Sequence, residues 1–195
     1  MTRVLLTGFE PFGRWDQNSS ALCVSALSQR ENIPVDLITR IYPVDFVRAR
    51  RAVEEDLQQG FDFALHIGQN EMSPHVRLER IARNTGSTDQ RDGKPLVPNG
   101  PATMRTSLPL RRWNRMLREE AIPSVVSENA GCFVCNAVFY WSLYFADQNS
   151  SPTQSAFIHI PLATGQVLNS LEHLPSLDTE VCANALETIM RDLAR

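Results

Sequence analysis

The 195-residue chain carries 19 lysines and arginines against 22 acidic residues, a formal net charge of −3, with 43% hydrophobic and 21% charged residues. That balance excludes disorder, because the apolar content is too high, and excludes a nucleic-acid binder built on phosphate contacts, which needs a basic excess. The length suits one domain over residues 1–195 that buries a full core without staples, so Cys23, Cys132, Cys135 and Cys182 are expected as free thiols.

The start of the chain has an apolar run of only three residues before Thr7, too short for a signal peptide. No stretch approaches the ~18 apolar residues of a membrane span. A cytoplasmic, reducing location with no membrane partner is the expectation.

Residues 3–7 read as a short strand running into Gly8-Phe9-Glu10-Pro11-Phe12-Gly13, where two glycines and a proline break regular structure. Ser19 or Ser20 is placed to cap a helix carrying Ala21, Leu22, Val24, Ala26 and Leu27. A β-rich run over 35–41 is closed by Pro43. Residues 46–59 predict a helix with Phe46, Val47, Ala49, Val53 and Leu57 on one broad face and Gly60 just past its end. The apolar run 61–67 suits a strand buried on both faces, and 76–82 predict another strand.

From Asn84 to Ser107 the composition shifts to Gly, Pro, Asn, Asp and Thr. A stretch of roughly two dozen residues exceeds ordinary connections and suggests a functional loop or an inserted hairpin. A helix with Leu110, Trp113, Met116 and Leu117 follows, then a short strand at Val125-Val126 and an apolar helix from Cys135 to Phe145. A strand over 157–160 is stopped by Pro161, and 179–193 form an amphipathic helix. The alternation predicts an α/β fold, a three-layer α/β/α sandwich around a twisted, mostly parallel sheet.

In open α/β sheets, ligands bind beyond the carboxyl ends of strands. Three features occupy such positions. Phe9 and Phe12 sit in the loop after the first strand, whose glycine spacing matches no phosphate cradle. They suggest an apolar slot for a flat, uncharged ring, or simply core filling. Cys132-Phe133-Val134-Cys135 raises redox and zinc readings, but no second pair exists to complete a metal site. Cys135 lies near the start of the long apolar helix, where dipole and free N–H groups stabilise a thiolate and make a nucleophile. An inert buried thiol is the plainer alternative.

His159 is the third feature, a histidine just before a strand-ending proline. It is a core histidine or the base that a cysteine nucleophile needs, and such a base needs an orienting carboxylate. Glu79 is the acidic residue most enclosed by apolar sequence; its alternative is a surface glutamate paired with Arg77 or Arg83.

Resemblance selects among these alternatives. Thr7-Gly8-Phe9-Glu10-Pro11-Phe12-Gly13 and Ala130-Gly131-Cys132-Phe133-Val134-Cys135-Asn136 resemble the two signatures of the pyroglutamyl peptidase I family. Further matches are Tyr42-Pro43-Val44-Asp45-Phe46, Gly68-Gln69, Leu78-Glu79-Arg80-Ile81-Ala82, Gly100-Pro101-Ala102-Thr103 and Phe157-Ile158-His159-Ile160-Pro161, in the family's order over nearly the whole chain. The resemblance implies a cysteine peptidase acting on N-terminally pyroglutamylated peptides, with Cys135 as nucleophile, His159 as base and acid, and Glu79 orienting the histidine. It also implies ring contacts from Phe9 and Phe12, pocket walls from Phe133 and Val134, and polar groups near the site from Gln69 and Asn18. No metal or cofactor is implied; a homotetramer is.

The chain departs from the family at three places. Where members carry an arginine about ten residues after the glutamate stands Asp89, with Arg91 shortly beyond. Asn70-Glu71-Met72-Ser73 replaces small and basic residues, and Asn18-Ser19-Ser20 replaces Asn-Pro-Ser. A related thiol amidohydrolase, a silent ligand-binding homologue and a redox protein using Cys132 and Cys135 are the competing readings.

Overall fold

The computed structural model describes residues 1–87, 93–168, 170 and 172–195. Asp89 and Arg91, the positions tied to the family arginine, lie outside them. In chain order the elements are β1 (Arg3–Phe9), α1 (Ser19–Ser28), β2 (Asp36–Tyr42), α2 (Phe46–Leu57), β3 (Phe63–Gln69), β4 (Val76–Glu79), β5 (Ile81–Arg83) and β6 (Thr103–Arg105). Then come α3 (Leu110–Glu119), β7 (Ser124–Ser127), α4 (Val134–Gln148), β8 (Gln154–Ile160), β9 (Leu162–Ala163), α5 (Thr164–Val167), β10 (Ser176–Leu177) and α6 (Thr179–Leu193).

Six strands form one sheet in the order β2-β1-β3-β8-β4-β7. Every pairing is parallel except β4 against β8, which is antiparallel. Because side chains alternate along a strand, the sheet has two apolar faces. One, carrying Val4, Leu6, Leu65, Leu78 and Ile158, packs beneath α1, α3 and α6; the other, carrying Leu5, Ala64 and Phe157, packs beneath α2 and α4. The expected α/β/α sandwich around a mixed, mostly parallel sheet is what forms. Cys23 and Cys182 are buried where α1 meets α6, and all four cysteines are free thiols.

Three expectations need correction. Asn18, not Ser19 or Ser20, caps α1: its side chain accepts from the Ser20 N–H, and Ser19 is already helical. The strand expected over 76–82 is two strands. At Arg80 the chain leaves the main sheet, its N–H donating to the Ser127 carbonyl while its own carbonyl accepts from Thr106, and β5 pairs with β6 in a separate two-stranded sheet. The segment 84–107 is therefore partly the inserted hairpin. It is fastened by Asn84, which donates to the Val97 and Gly100 carbonyls and accepts from the Val97 N–H. Finally, the run expected to end at Ile67 continues to Gln69, carrying Gly68 and Gln69 to the sheet's carboxyl edge.

No helix among the described residues is long and apolar enough to cross a membrane.

Candidate active site

Strand register brings the distant polar residues together. Across the antiparallel β4–β8 pair, Arg77 faces His159 and Glu79 faces Phe157. Leu78 and Ile158 point into the α1/α6 core, so Arg77, Glu79 and His159 all point to the opposite face, where α4 lies. There His159 Nδ1 meets Glu79 Oε1 at 2.9 Å. Glu79 is fully buried and His159 is 6% exposed.

Cys135 is the second residue of α4. Phe133 holds the N-cap position in an extended conformation, and no side chain among the described residues caps the helix there. The first-turn amides are therefore left as donors at the positive end of the helix dipole. Gly68, on β3 opposite His159, makes room for the thiol: a Cβ at that position would stand 2.8 Å from Cys135 Sγ. With Nδ1 committed to Glu79, the other ring nitrogen of His159 is left for a second partner, and His159 and Cys135 line the same cavity. Burial alone would lower the His159 pKa, but its hydrogen bonds to Cys135 and Glu79, and the charges of both, raise it to about 9. His159 therefore favours the charged imidazolium.

Asn136, fully buried, ties this turn to the inserted hairpin. Its Oδ1 accepts from the Arg83 N–H at 2.9 Å, and its Nδ2 donates to the Arg83 and Thr85 carbonyls at 3.0 and 2.9 Å.

A cavity of about 800 Å³ opens over Cys135 and His159. Phe9, Phe12, Asn18, Gln69, Phe133 and Val134 all line it, so every binding residue expected from the resemblance reaches one space. They differ in character. Phe9 is 2% exposed and packs on Tyr42 and Phe157, so it is core as much as wall. Phe12 is 40% exposed, with its ring 6.0 Å from that of Phe133. Gln69 uses Oε1 to accept from the Ser19 N–H and from Gln166, leaving its amide hydrogens as donors. Asn18 spends its oxygen on the Ser20 N–H and hydroxyl and donates to the Glu10 carbonyl, which makes it chiefly a brace for the loop after β1.

Among the wall residues that sequence reasoning did not assign to the site are Arg14, Trp15, Glu71 and Met72. The Arg14 guanidinium lies over the Trp15 ring and pairs with Glu71 and Glu172. Glu71 and Met72 fall in the segment that departs from the family pattern, which was the available signal.

The pyroglutamyl peptidase family model matches residues 2–194. The chain belongs to the pyroglutamyl peptidase family, hydrolases of the cysteine-peptidase class. The pyrrolidone-carboxylate peptidase of Pyrococcus furiosus is 31% identical over 177 residues, 87% of this chain and 85% of that protein. That of Bacillus licheniformis is 33% identical over 187 residues, covering 92% and 87%. Among solved structures, the pyrrolidone carboxyl peptidase of Fervidobacterium islandicum superposes with a TM-score of 0.92 at 34% identity, covering 99% of this chain and 98% of that one.

Proposed function

We propose that the chain hydrolyses the amide bond after an N-terminal L-pyroglutamyl residue through a thioester on Cys135. The observation that carries the residue assignment is the buried Glu79–His159 bond, in the wall of one cavity with a thiol in the first turn of α4. His159 takes the Cys135 proton, and the thiolate attacks the pyroglutamyl carbonyl carbon. The Cys135 N–H and its first-turn neighbours hold the oxyanion; losing one such donor typically costs ~10²-fold or more in rate. His159 then protonates the departing amine, and afterwards takes a proton from the water that cleaves the thioester, releasing pyroglutamate and restoring the thiol. Glu79 fixes the imidazole's orientation and balances its charge throughout.

Pyroglutamate is a neutral five-membered lactam. A wall of Phe12, Phe133 and Val134 with donors from Gln69 suits it better than any charged subsite would, because no counter-ion has to be desolvated. Assembly as a homotetramer in a cytoplasmic setting belongs to the same proposal, and light scattering of the purified protein tests the assembly.

The deciding experiment measures release of a fluorogenic amine from L-pyroglutamyl and L-prolyl amides by wild type, Cys135→Ser and Cys132→Ser. Pyroglutamyl turnover by wild type, abolished in Cys135→Ser and retained in Cys132→Ser, is the expected result. A folded wild type without pyroglutamyl turnover defeats the substrate assignment, and activity that survives in Cys135→Ser defeats the nucleophile.

A further inference from the structure

Glu79 was expected to pair either with His159 or with a neighbouring arginine; it does both. Arg77 Nε stands 3.3 Å from Glu79 Oε1, the same oxygen that His159 Nδ1 engages, while Glu79 Oε2 is buried with no hydrogen-bond partner among the described residues. The outer guanidinium nitrogen donates to Ser127 Oγ at 2.7 Å, on the strand that flanks β4 on its other side. Arg77 also faces His159 directly in the β4–β8 register and lines the cavity over Cys135. One guanidinium thus forks between two strands and stands across from the imidazole.

We propose that Arg77 is a positioning residue of the reacting pair: its guanidinium, anchored on Ser127, steers Glu79 so that Oε1 rather than Oε2 meets His159, and it sets a second positive charge beside the pair. The proposal rests on the assignment of Cys135 and His159 as the reacting groups. The fork has a geometric cause, since guanidinium presents several donors in a fixed plane, whereas an ammonium offers one point charge. The positive charge also has a definite consequence. A cation beside the pair repels the imidazolium and attracts the thiolate, so its removal moves both limbs of the pair's pH profile upward.

Among the described residues, the other ionisable groups around the pair do not supply this charge. Arg80 is engaged by Glu128, and Arg14 by Glu71 and Glu172, of which Glu71 also lines the cavity. Cys132 lies at the cavity wall as an exposed free thiol. His66, on β3, is held neutral by burial.

The test compares wild type, Arg77→Lys, Arg77→Gln and Arg77→Met by two pH profiles. One is kcat/KM on the pyroglutamyl amide; the other is the alkylation rate of Cys135 by iodoacetamide, read peptide by peptide in a mass spectrometer. Arg77→Gln is expected to shift both limbs up by about 0.5–1 pH unit, and Arg77→Met, a second uncharged side chain, to do the same should Arg77→Gln not fold. Arg77→Lys is expected to keep the limbs in place but lower the kcat plateau several-fold, because the fork is lost while the charge stays. Uncharged variants whose curves keep the wild-type limbs overturn the proposal, as does a lysine variant that shifts as far as they do. Alkylation needs no substrate, so it decides the role of Arg77 even if wild type fails to turn over the pyroglutamyl amide, a failure that would strike the substrate assignment alone.

Discussion

Replacing Gly68 by alanine adds one methyl group at the point where the sheet edge approaches the nucleophile. The new Cβ would stand 2.8 Å from Cys135 Sγ and 2.8 Å from Phe157 Cζ. Favourable non-bonded contacts lie at ~3.5–4.0 Å, so thiol and ring must together give way by about 0.7–1.2 Å. Phe157 is fully buried against Phe9 and Phe139, and its ring lies 4.8 Å from that of His159. The ring therefore has little room to retreat, so the added methyl is driven toward Cys135 and the thiol takes up most of the displacement. Misplacing a reacting group by ~1 Å costs about 10²-fold in rate, and overpacking a filled site costs about 1–3 kcal/mol of stability. Gly68→Ala should accordingly lose about 10²-fold in kcat/KM on the pyroglutamyl amide, and its Cys135 should alkylate more slowly. Urea unfolding should show a loss of about 1–3 kcal/mol. A folded Gly68→Ala protein within about threefold of wild type in kcat/KM would refute the reasoning that Gly68 is small because the thiol needs its space.

The remaining predictions concern protonation and anchoring. Because His159 is raised to about 9, the acid that protonates the leaving amine persists through neutral pH, and kcat/KM should fall only as pH rises through about 9. A pH–rate profile already collapsing near pH 7 contradicts a raised His159 pKa. His66 behaves oppositely: it is fully buried, bonded to Thr7 and Ser142, and burial pushes its pKa down from 6.5 to about 3. Its folded pKa is depressed, so the unfolded chain binds the extra proton first, and stability present above pH 6.5 is lost as pH falls toward 3. Urea unfolding at pH 8 and pH 5 should differ by about 2 kcal/mol from this residue, and His66→Gln should remove most of that difference; an unchanged difference counts against the assignment. Asn136→Ala strands buried backbone groups of Arg83 and Thr85 and should cost about 2–4 kcal/mol of stability, with faster proteolysis in the 84–107 segment. Equal proteolysis in the two proteins would show that Asn136 does not fasten the hairpin.

Much of this protein is legible in its sequence, and the reason is the backbone repeat. Residues 179–193 read as an amphipathic helix, and α6 spans Thr179–Leu193, because a 3.6-residue periodicity is written locally. Cys135 stood out for the same kind of reason, as a thiol at the start of a long apolar helix, and the family signatures then singled it out with His159 and Glu79. What tertiary structure decided depends on register between residues far apart in the chain. Glu79 and His159 are 80 positions apart, and only the antiparallel pairing of β4 with β8 sets both on the face of the sheet that α4 covers. The break at Arg80 was hidden because residues on either side keep strand character while pairing in different sheets. Asn18 took the cap from the serines because its side chain also had to hold the Glu10 carbonyl, a demand from outside the helix. Arg77 could be named from sequence as a neighbour of Glu79. Its third position, across the sheet from His159 and anchored on Ser127, exists only once three strands lie side by side.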